Sequence, residues 1–384
     1  MRDTSKPRDG IDLRQLTTDP QDVLRDPTVD LIVEVMGGVE PTGTYLRQAL
    51  QAGLPVVTAN KQLLSRHGAE LLELAQSSGT ELRFEASACA GIPVIKVLRE
   101  SLLAAEIFAV TGIVNGTTNY ILSEMSRGGM SYADALAQAQ ALGYAEADPS
   151  EDVGGADAAA KMAILASIAF HTNVHFDDVP FEGIDGLHGE DFDLAKDLGF
   201  VIKLLGVARL VDGGISVRVH PALVPESHRL AAVRGADNAV LLESGTVRQI
   251  MLVGPGAGGT ETASAVLADV LSILGTAQGS FLQNALADAG RPLLSPDQTE
   301  SAFYVRLRVV DRPGVLARIA TVFANSGLSI RSVIQRGEGD GARLVLVTHM
   351  GSEARMNAAL DAMRDMEEVR GEPVLLRLLA EEGV

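Results

Sequence analysis

The sequence predicts an α/β protein in which a parallel sheet comes first, an α+β domain follows, and a small βαββαβ domain closes the chain. Three observations predict this. Short apolar runs alternate with helical stretches over residues 29–86, strand-like runs of alternating polarity occupy 207–254, and a complete β-α-β-β-α-β order fills 303–379. The 384 residues are enough for two or three domains.

The elements follow in order. VDLIVEV (29–35) is an apolar run that stops at Gly37-Gly38, Pro41 opens a helical pattern that reaches about Ala52, and PVVT (55–58) is the second run. A helix over about 61–77 follows, and Gly79 precedes ELRFEA (81–86). These are βαβ units around a parallel sheet, the layout of a Rossmann-type nucleotide-binding domain. Such a domain opens on a strand and a Gly-rich turn. Here the first residues, MRDTSKPRDG, read as a polar loop, so the first βα unit, and with it the main anion site for a pyrophosphate, is expected upstream of residue 1.

Residues 94–106 and 131–142 read as helices, 144–155 as an acidic loop, 156–170 as a strongly apolar helix and about 191–205 as a further helix. ISVRV, AVLLES and VRQIMLVG read as antiparallel strands, and GPGAGGTE leads from them into the helix TASAVLADVLSIL. The polar stretch 285–301, with two prolines, reads as a linker. The expected division is 1–93 plus 255–280 for nucleotide binding, 94–254 for substrate binding and dimerisation, 281–301 as linker and 302–384 as the last domain.

Hydrophobic residues make up 46% and charged residues 21%, a globular composition. A net charge of −18 with no basic block argues against nucleic acid as a partner. One cysteine, Cys89, rules out an internal disulfide. The longest apolar stretches, such as 162–170, fall short of a membrane span, and the polar N-terminal residues are not a secretory signal. A soluble cytoplasmic protein, with no membrane partner, is expected.

The most informative segment is GYAEADPSEDVGGADAAAKMAILASIAF (143–170). Beyond Ala156 the helix is apolar almost all round and should be buried, yet Lys161 sits within it. A buried ammonium must be paired or neutralised. Asp157 lies four residues earlier on the same face, and Glu146 and Asp152 stand in the loop that can fold back over it. Desolvation pulls such a lysine toward neutrality while carboxylates oppose it, which suits a general base acting on an alcohol. The carboxylates can also receive a substrate's ammonium group. A purely structural Asp157–Lys161 pair under a solvated loop accounts for the spacing equally well.

The run G-Y-A-E-A-D-P…D…G-x-D-x-x-x-K resembles the signature of homoserine dehydrogenases. So do T-A-N-K (58–61), F-E-A-S-A-C-A-G-I-P (84–93), G-I-V-N-G-T-T-N-Y-I-L (112–122) and G-P-G-A-G-G-T-E-T-A-S-A-V (254–266). The similarity runs in order from residue 1 to about 280, and the tail resembles the amino-acid-binding ACT domain. The resemblance implies NAD(P)-dependent interconversion of L-homoserine and L-aspartate 4-semialdehyde, a step toward threonine, methionine and isoleucine. It implies that Lys161 is the acid/base, that Lys61 is a second catalytic or orienting lysine, and that Glu146, Asp157, Asp152 and Thr117 attend the substrate. Alone, Lys61 reads as an exposed helix-start lysine and Thr117 as a turn hydroxyl capping a helix.

The resemblance further implies cofactor contacts (NADP or NAD) at Thr58, Lys61, Gly143, Glu146, Gly256 and Gly258. Gly254, Gly256 and Gly259 fit G-x-G-x-x-G literally. No acidic residue stands about 20 positions on and no second βαβ unit follows, so the motif reads as the chain's return to the cofactor domain or as a plain tight turn. Arg2 and Lys6 are candidates for a 2′-phosphate. The resemblance implies a monovalent cation such as Na+ at Glu85 and the carbonyls of Ala88, Ala90 and Ile92; Cys89, in the same loop, reads as inert packing. Asp311, Gly314 and Asn325 would form an effector site, for threonine, between paired ACT domains, unless that domain serves only to oligomerise. A homodimer or homotetramer is expected. A reading from a different class is an effector-binding protein with impaired catalysis, because the Gly-rich cofactor loop is absent from the sequence.

Overall fold

The computed structural model describes residues 12, 15–275, 291–337 and 339–379. Arg2, Lys6 and the stretch 276–290 lie outside the described residues, and with that stretch the first part of the expected linker, 281–290.

A short helix α1 (Pro20–Leu24) precedes three parallel strands, β1 (Ile32–Glu34), β2 (Val56–Thr58) and β3 (Leu82–Arg83), in the spatial order β1-β2-β3. Between them run α2 (Thr42–Gln51) and α3 (Lys61–Ser77). Asn60 starts α3 by accepting the Leu63 N–H at 3.0 Å, satisfying one orphan donor of the first turn. Leu46, Leu50, Leu63 and Leu71 bury the inner faces of both helices against Val56 and Leu82.

Next come α4 (Val94–Lys96), β4 (Ile107–Ile113), α5 (Gly116–Gly128), α6 (Tyr132–Ala141), α7 (Ser150–Val153) and α8 (Ala156–Phe170). Twelve of the fifteen residues of α8 are buried, so a charge on it can only persist with partners. Then α9 (Gly189–Asp197) leads into β5 (Phe200–Val211), β6 (Gly214–Pro225), β7 (Asp237–Ser244) and β8 (Arg248–Pro255), and the helix α10 (Gly259–Gly275) returns to the parallel sheet. Asp269 of α10 accepts the Glu85 N–H at 2.8 Å.

The helix expected over 191–205 is corrected here. It ends at Asp197, Gly199 takes φ +79°, and 200–211 is a strand paired along its whole length with β6 through a two-residue Asp212-Gly213 turn. The run FVIKLLGVARLV is buried over most of its length, and an apolar run of that kind does not reveal its period. Helix 94–106 also stops early: after Lys96 the turn widens to a π-type stretch, Val97–Ser101, and β4 starts at Ile107.

The last domain comprises β9 (Glu300–Val309), α11 (Val315–Asn325), β10 (Ile330–Arg336), β11 (Ala342–Thr348), β12 (Gly351–Ser352), α12 (Glu353–Arg364) and β13 (Val369–Leu378). Phe303, Val305, Leu307 and Val309 of β9 pack under Ile319, Phe323, Met356 and Leu360 of its two helices. The alternate residues Tyr304 and Arg306 face α9, where Asp191 accepts from Arg306. Its sheet is not closed off. β13 pairs in parallel with β6 (Arg377↔Ala222, Leu378↔Leu223), so one sheet runs β10-β11-β9-β13-β6-β5-β4-β7-β8 through both halves. Residues before β9 are tied to the same region, with the Ile215 N–H donating to the Pro292 carbonyl at 2.6 Å. Among the described residues no helix is long and apolar enough to cross a membrane.

Candidate active site

The N-termini of α3, α5 and α8 converge on one carboxylate. Asp157, in the first turn of α8 and 3% exposed, accepts from Lys161 Nζ at 2.8 Å on one oxygen, and Lys61 Nζ bonds the other. Asn115 Nδ2 also donates to Asp157, at 2.8 Å, and to Asp152 at 2.7 Å. Lys161 Nζ gives a second hydrogen to the Val114 carbonyl at 2.8 Å, which leaves its third for a ligand. Lys61 is 30% exposed and so forms the solvent side of the cluster.

The electrostatics follow from the packing. Burial alone would raise the pKa of Asp157, but Lys161 and Lys61 outweigh it and hold the carboxyl well below its ordinary range. Burial works against the charge on Lys161, yet Asp157, Cys89 and Asp152 outweigh it and raise the lysine's pKa. The sequence expectation of a lysine tuned toward neutrality is therefore corrected: the ion pair wins over desolvation, and Lys161 rests as an ammonium. Asp152 is pushed upward, by burial and by the neighbouring Asp157 charge.

The structure brings together Lys61, Thr117, Asp152, Asp157 and Lys161. Thr117 Oγ1 bonds the Tyr144 carbonyl at 2.6 Å and Asp152 at 3.2 Å. The Glu146 side chain is exposed on the loop beyond α6 and joins none of these bonds; its carbonyl accepts from Gln140 at 3.0 Å. Gly143, also exposed, ends α6 at φ +78°. Sequence reasoning missed Asn115, the residue that joins both aspartates. Its signal was its place just before the α5 helix, where its side chain caps the Thr118 N–H at 2.8 Å.

The parallel sheet opens beside this cluster. Thr58, at the end of β2, donates to the buried Glu34 carboxylate at 2.5 Å, and Glu34 also accepts the N–H groups of Met36 and Gly37 at 2.6 and 3.0 Å. Gly37 and Gly38 both take φ +75°, and a Cβ on either would meet nothing within 4 Å, so space is free above the strand ends. Opposite, Gly256 is buried against Asn238, where an added Cβ would stand 2.1 Å from the amide; Gly258 takes φ +143°. The Gly256 and Pro255 carbonyls accept from Ala90 and Gly91 at 3.0 and 3.1 Å, which fastens the 85–91 loop to the end of β8.

In that loop Glu85 is 5% exposed, and its oxygens accept the Ile95 and Lys96 N–H groups at 2.9 and 2.7 Å. Burial, reinforced by Asp269, lifts its pKa to about 7. Ala88, Ala90 and Ile92 are buried beside it, and Cys89, at φ 53°, accepts from Asn238 at 3.3 Å. No group of three or more His, Cys, Asp or Glu able to hold a metal occurs among the described residues. In the last domain Asp311 accepts from Gln335 at 3.0 Å, Gly314 caps α11 at φ +93°, and Asn325 ends that helix, exposed.

Three family models match the chain in sequence order. Residues 2–85 match the homoserine dehydrogenase NAD-binding domain, 93–271 the homoserine dehydrogenase family and 303–368 the ACT domain. A homoserine dehydrogenase of Mycobacterium tuberculosis is 46% identical, covering 96% of this chain and 86% of that protein. The crystal structure of a homoserine dehydrogenase from Thiobacillus denitrificans superposes with a TM-score of 0.91 at 43% identity, covering 94% of this chain and 85% of that one. A hyperthermophilic archaeal homoserine dehydrogenase in complex with NADPH superposes with a TM-score of 0.59 at 28% identity, over 68% of this chain and 77% of that one.

Proposed function

This chain belongs to the homoserine dehydrogenase family, and from that premise we propose that Lys61, Asp157 and Lys161 are the proton-handling centre of an NAD(P)-dependent oxidoreductase that interconverts L-homoserine and L-aspartate 4-semialdehyde. The observation that carries the assignment is two ammonium groups on one buried carboxylate, with one N–H of Lys161 uncommitted. The nicotinamide, when bound, supplies or accepts the hydride. Lys161, resting as an ammonium, gives a proton to the oxygen that gains charge when the aldehyde is reduced. Oxidation of the alcohol asks the same lysine to have shed that proton first. Asp157 orients both lysines, and Lys61 faces the cleft as the second donor. Asp152 and Thr117 shape the polar wall that would receive the substrate's ammonium group, with Glu146 at its exposed rim.

Thr58, Gly143, Gly256 and Gly258 are the residues we assign to the cofactor side. The free space above Gly37-Gly38 leaves room for a flat ring approaching backbone, and Gly256, packed on Asn238, fixes the end of β8. The choice between NADP and NAD is left to kinetics with both. A monovalent cation, Na+ or similar, would sit at Glu85 with the carbonyls of Ala88, Ala90 and Ile92; the buried, partly neutralised carboxylate gives it a hard oxygen donor. The ACT domain supports regulatory control, and we assign the effector, threonine, to Asp311, Gly314 and Asn325. The enzyme would work as a homodimer or homotetramer in the cytoplasm. The alternative of an effector-binding protein without catalysis is not favoured, because the family match spans the nucleotide-binding and catalytic parts as well as the ACT domain.

The test is NAD(P)H formation from homoserine. Lys161→Ala should abolish turnover while cofactor affinity, read by NADPH fluorescence, changes little. Turnover near wild type in that variant would remove Lys161 from the reaction.

A further inference from the structure

A second lysine is buried outside the reaction centre. Lys203, on β5, is 4% exposed. Its Nζ donates to Asn119 Oδ1 at 2.8 Å and to the Val233 carbonyl. Both partners are neutral, and burial, with Arg234 nearby, draws its pKa down to about 8. An ammonium kept in the core without an anion costs several kcal/mol, and methionine would fill similar volume without that penalty. The contacts of Lys203 show what it holds.

Asn119 lies one helical turn beyond Asn115, and its N–H bonds the Asn115 carbonyl at 3.3 Å. Its Nδ2 donates to the Asp237 carbonyl at 3.0 Å, tying α5 to β7. From the same first turn of α5, Asn115 reaches Asp157 and Asp152, and Thr117 reaches Asp152. We propose that Lys203 is a positioning residue for the reaction: by gripping Asn119 it fixes the register of α5, so that Asn115 and Thr117 hold the two aspartates beneath the reacting lysines. The path is Lys203, Asn119, the first turn of α5, Asn115, Asp157. It ends on the substrate side of the site and bypasses the strand ends assigned to the cofactor.

This inference rests on the reading of Asp157 and its lysines as the reaction centre, and one set of steady-state measurements separates the two. Lys203→Met, Asn119→Ala and the double variant are compared with wild type and Lys161→Ala on the full chain, with thermal melts as the folding control. A displaced aspartate should lower kcat/KM for homoserine ~10- to 100-fold in Lys203→Met while the KM for NAD(P)+ stays within about twofold. Because both residues act through one contact, the double variant should lose no more than the worse single variant. Lys203→Gln, which keeps an N–H donor, should recover part of the loss. If Lys203→Met does not fold, Asn119→Ala carries the same expectation. A folded variant with wild-type kcat/KM, losses that multiply in the double variant, or equal damage to the cofactor's KM would each overturn the positioning role. Activity surviving in Lys161→Ala would instead overturn the reading of the centre itself.

Discussion

At Asp157 one carboxylate serves two ammonium groups, so its removal acts on both. Asp157→Asn leaves Lys61 and Lys161 facing each other without a counter-charge. Asp157 is a main reason that the pKa of Lys161 is raised, so its loss lowers that pKa. In the reductive direction the rate depends on the ammonium form, and the alkaline limb of the pH–rate profile should therefore move to lower pH, with kcat down ~100-fold or more. An unshifted limb would contradict the coupling. At Glu85 the sign is opposite to a usual ion-paired acid. Its native pKa of about 7 lies above the ordinary 4.5, so the native state holds a proton that the unfolded chain has released. That contribution is present below 4.5, is lost as pH rises through 7, and amounts to ~3 kcal/mol at most. Glu85→Gln should raise the Tm at pH 8 in a buffer of large organic cations. If the loop holds Na+, adding Na+ should raise the Tm of wild type and leave Glu85→Gln unmoved. At this scale the sequence was most readable where spacing dictates contact: Asp157 and Lys161 are four apart on a helix and must meet. Lys61 comes from another helix 96 residues away, a convergence that no local pattern encodes. Asn115, itself uncharged, and Lys203, whose partners are neutral, were unreadable because neither contact leaves a charge pattern.

Among the elements, the junction of the 85–91 loop with the end of β8 is tightly fitted. A Cβ on Gly91 would stand 2.3 Å from the Pro255 carbonyl, and one on Gly256 would enter the Asn238 amide. The first clash is with backbone, which cannot yield, and the second is with the side chain of Asn238, which is fully buried and has little room to turn away. Gly256→Ala should cost ~1–3 kcal/mol in urea denaturation and raise the KM for NAD(P)+ more than that for homoserine. Equal stability and unchanged kinetics would show that the junction is looser than its geometry. Elements with strong punctuation were legible from the sequence. The bounds of α3 and α8 are those that Asn60, Gly79, Gly155 and the apolar pattern mark out. The α9–β5 boundary was missed because residues 200–211 are buried over most of their length, and a mostly apolar run fits helix and strand alike. β4 has the same ambiguity, being buried at every residue but Phe108.

For the whole molecule, the ACT half is joined to the catalytic half by buried charge as well as by backbone. Asp191 of α9 is fully buried and takes Arg306 of β9. Glu353 takes Arg377 at 2.8 Å and Arg218 at 2.9 Å. Removing one partner strands the other, so Asp191→Asn should lose ~3–5 kcal/mol and uncouple any response to threonine from turnover. Inhibition that survives intact in a folded Asp191→Asn protein would place the coupling elsewhere. The order of domains was readable from composition and motif, but their fusion was not, because a parallel pairing of two residues from distant segments leaves no local trace. That pairing has a consequence for trimming the enzyme. Versions cut before Val369, meant to free the catalyst from its regulator, would strip the β6 margin bare and take Arg377 away from Glu182 and Glu353. They should be prone to clumping through that naked border, and the loss of feedback would come bundled with a shorter working life.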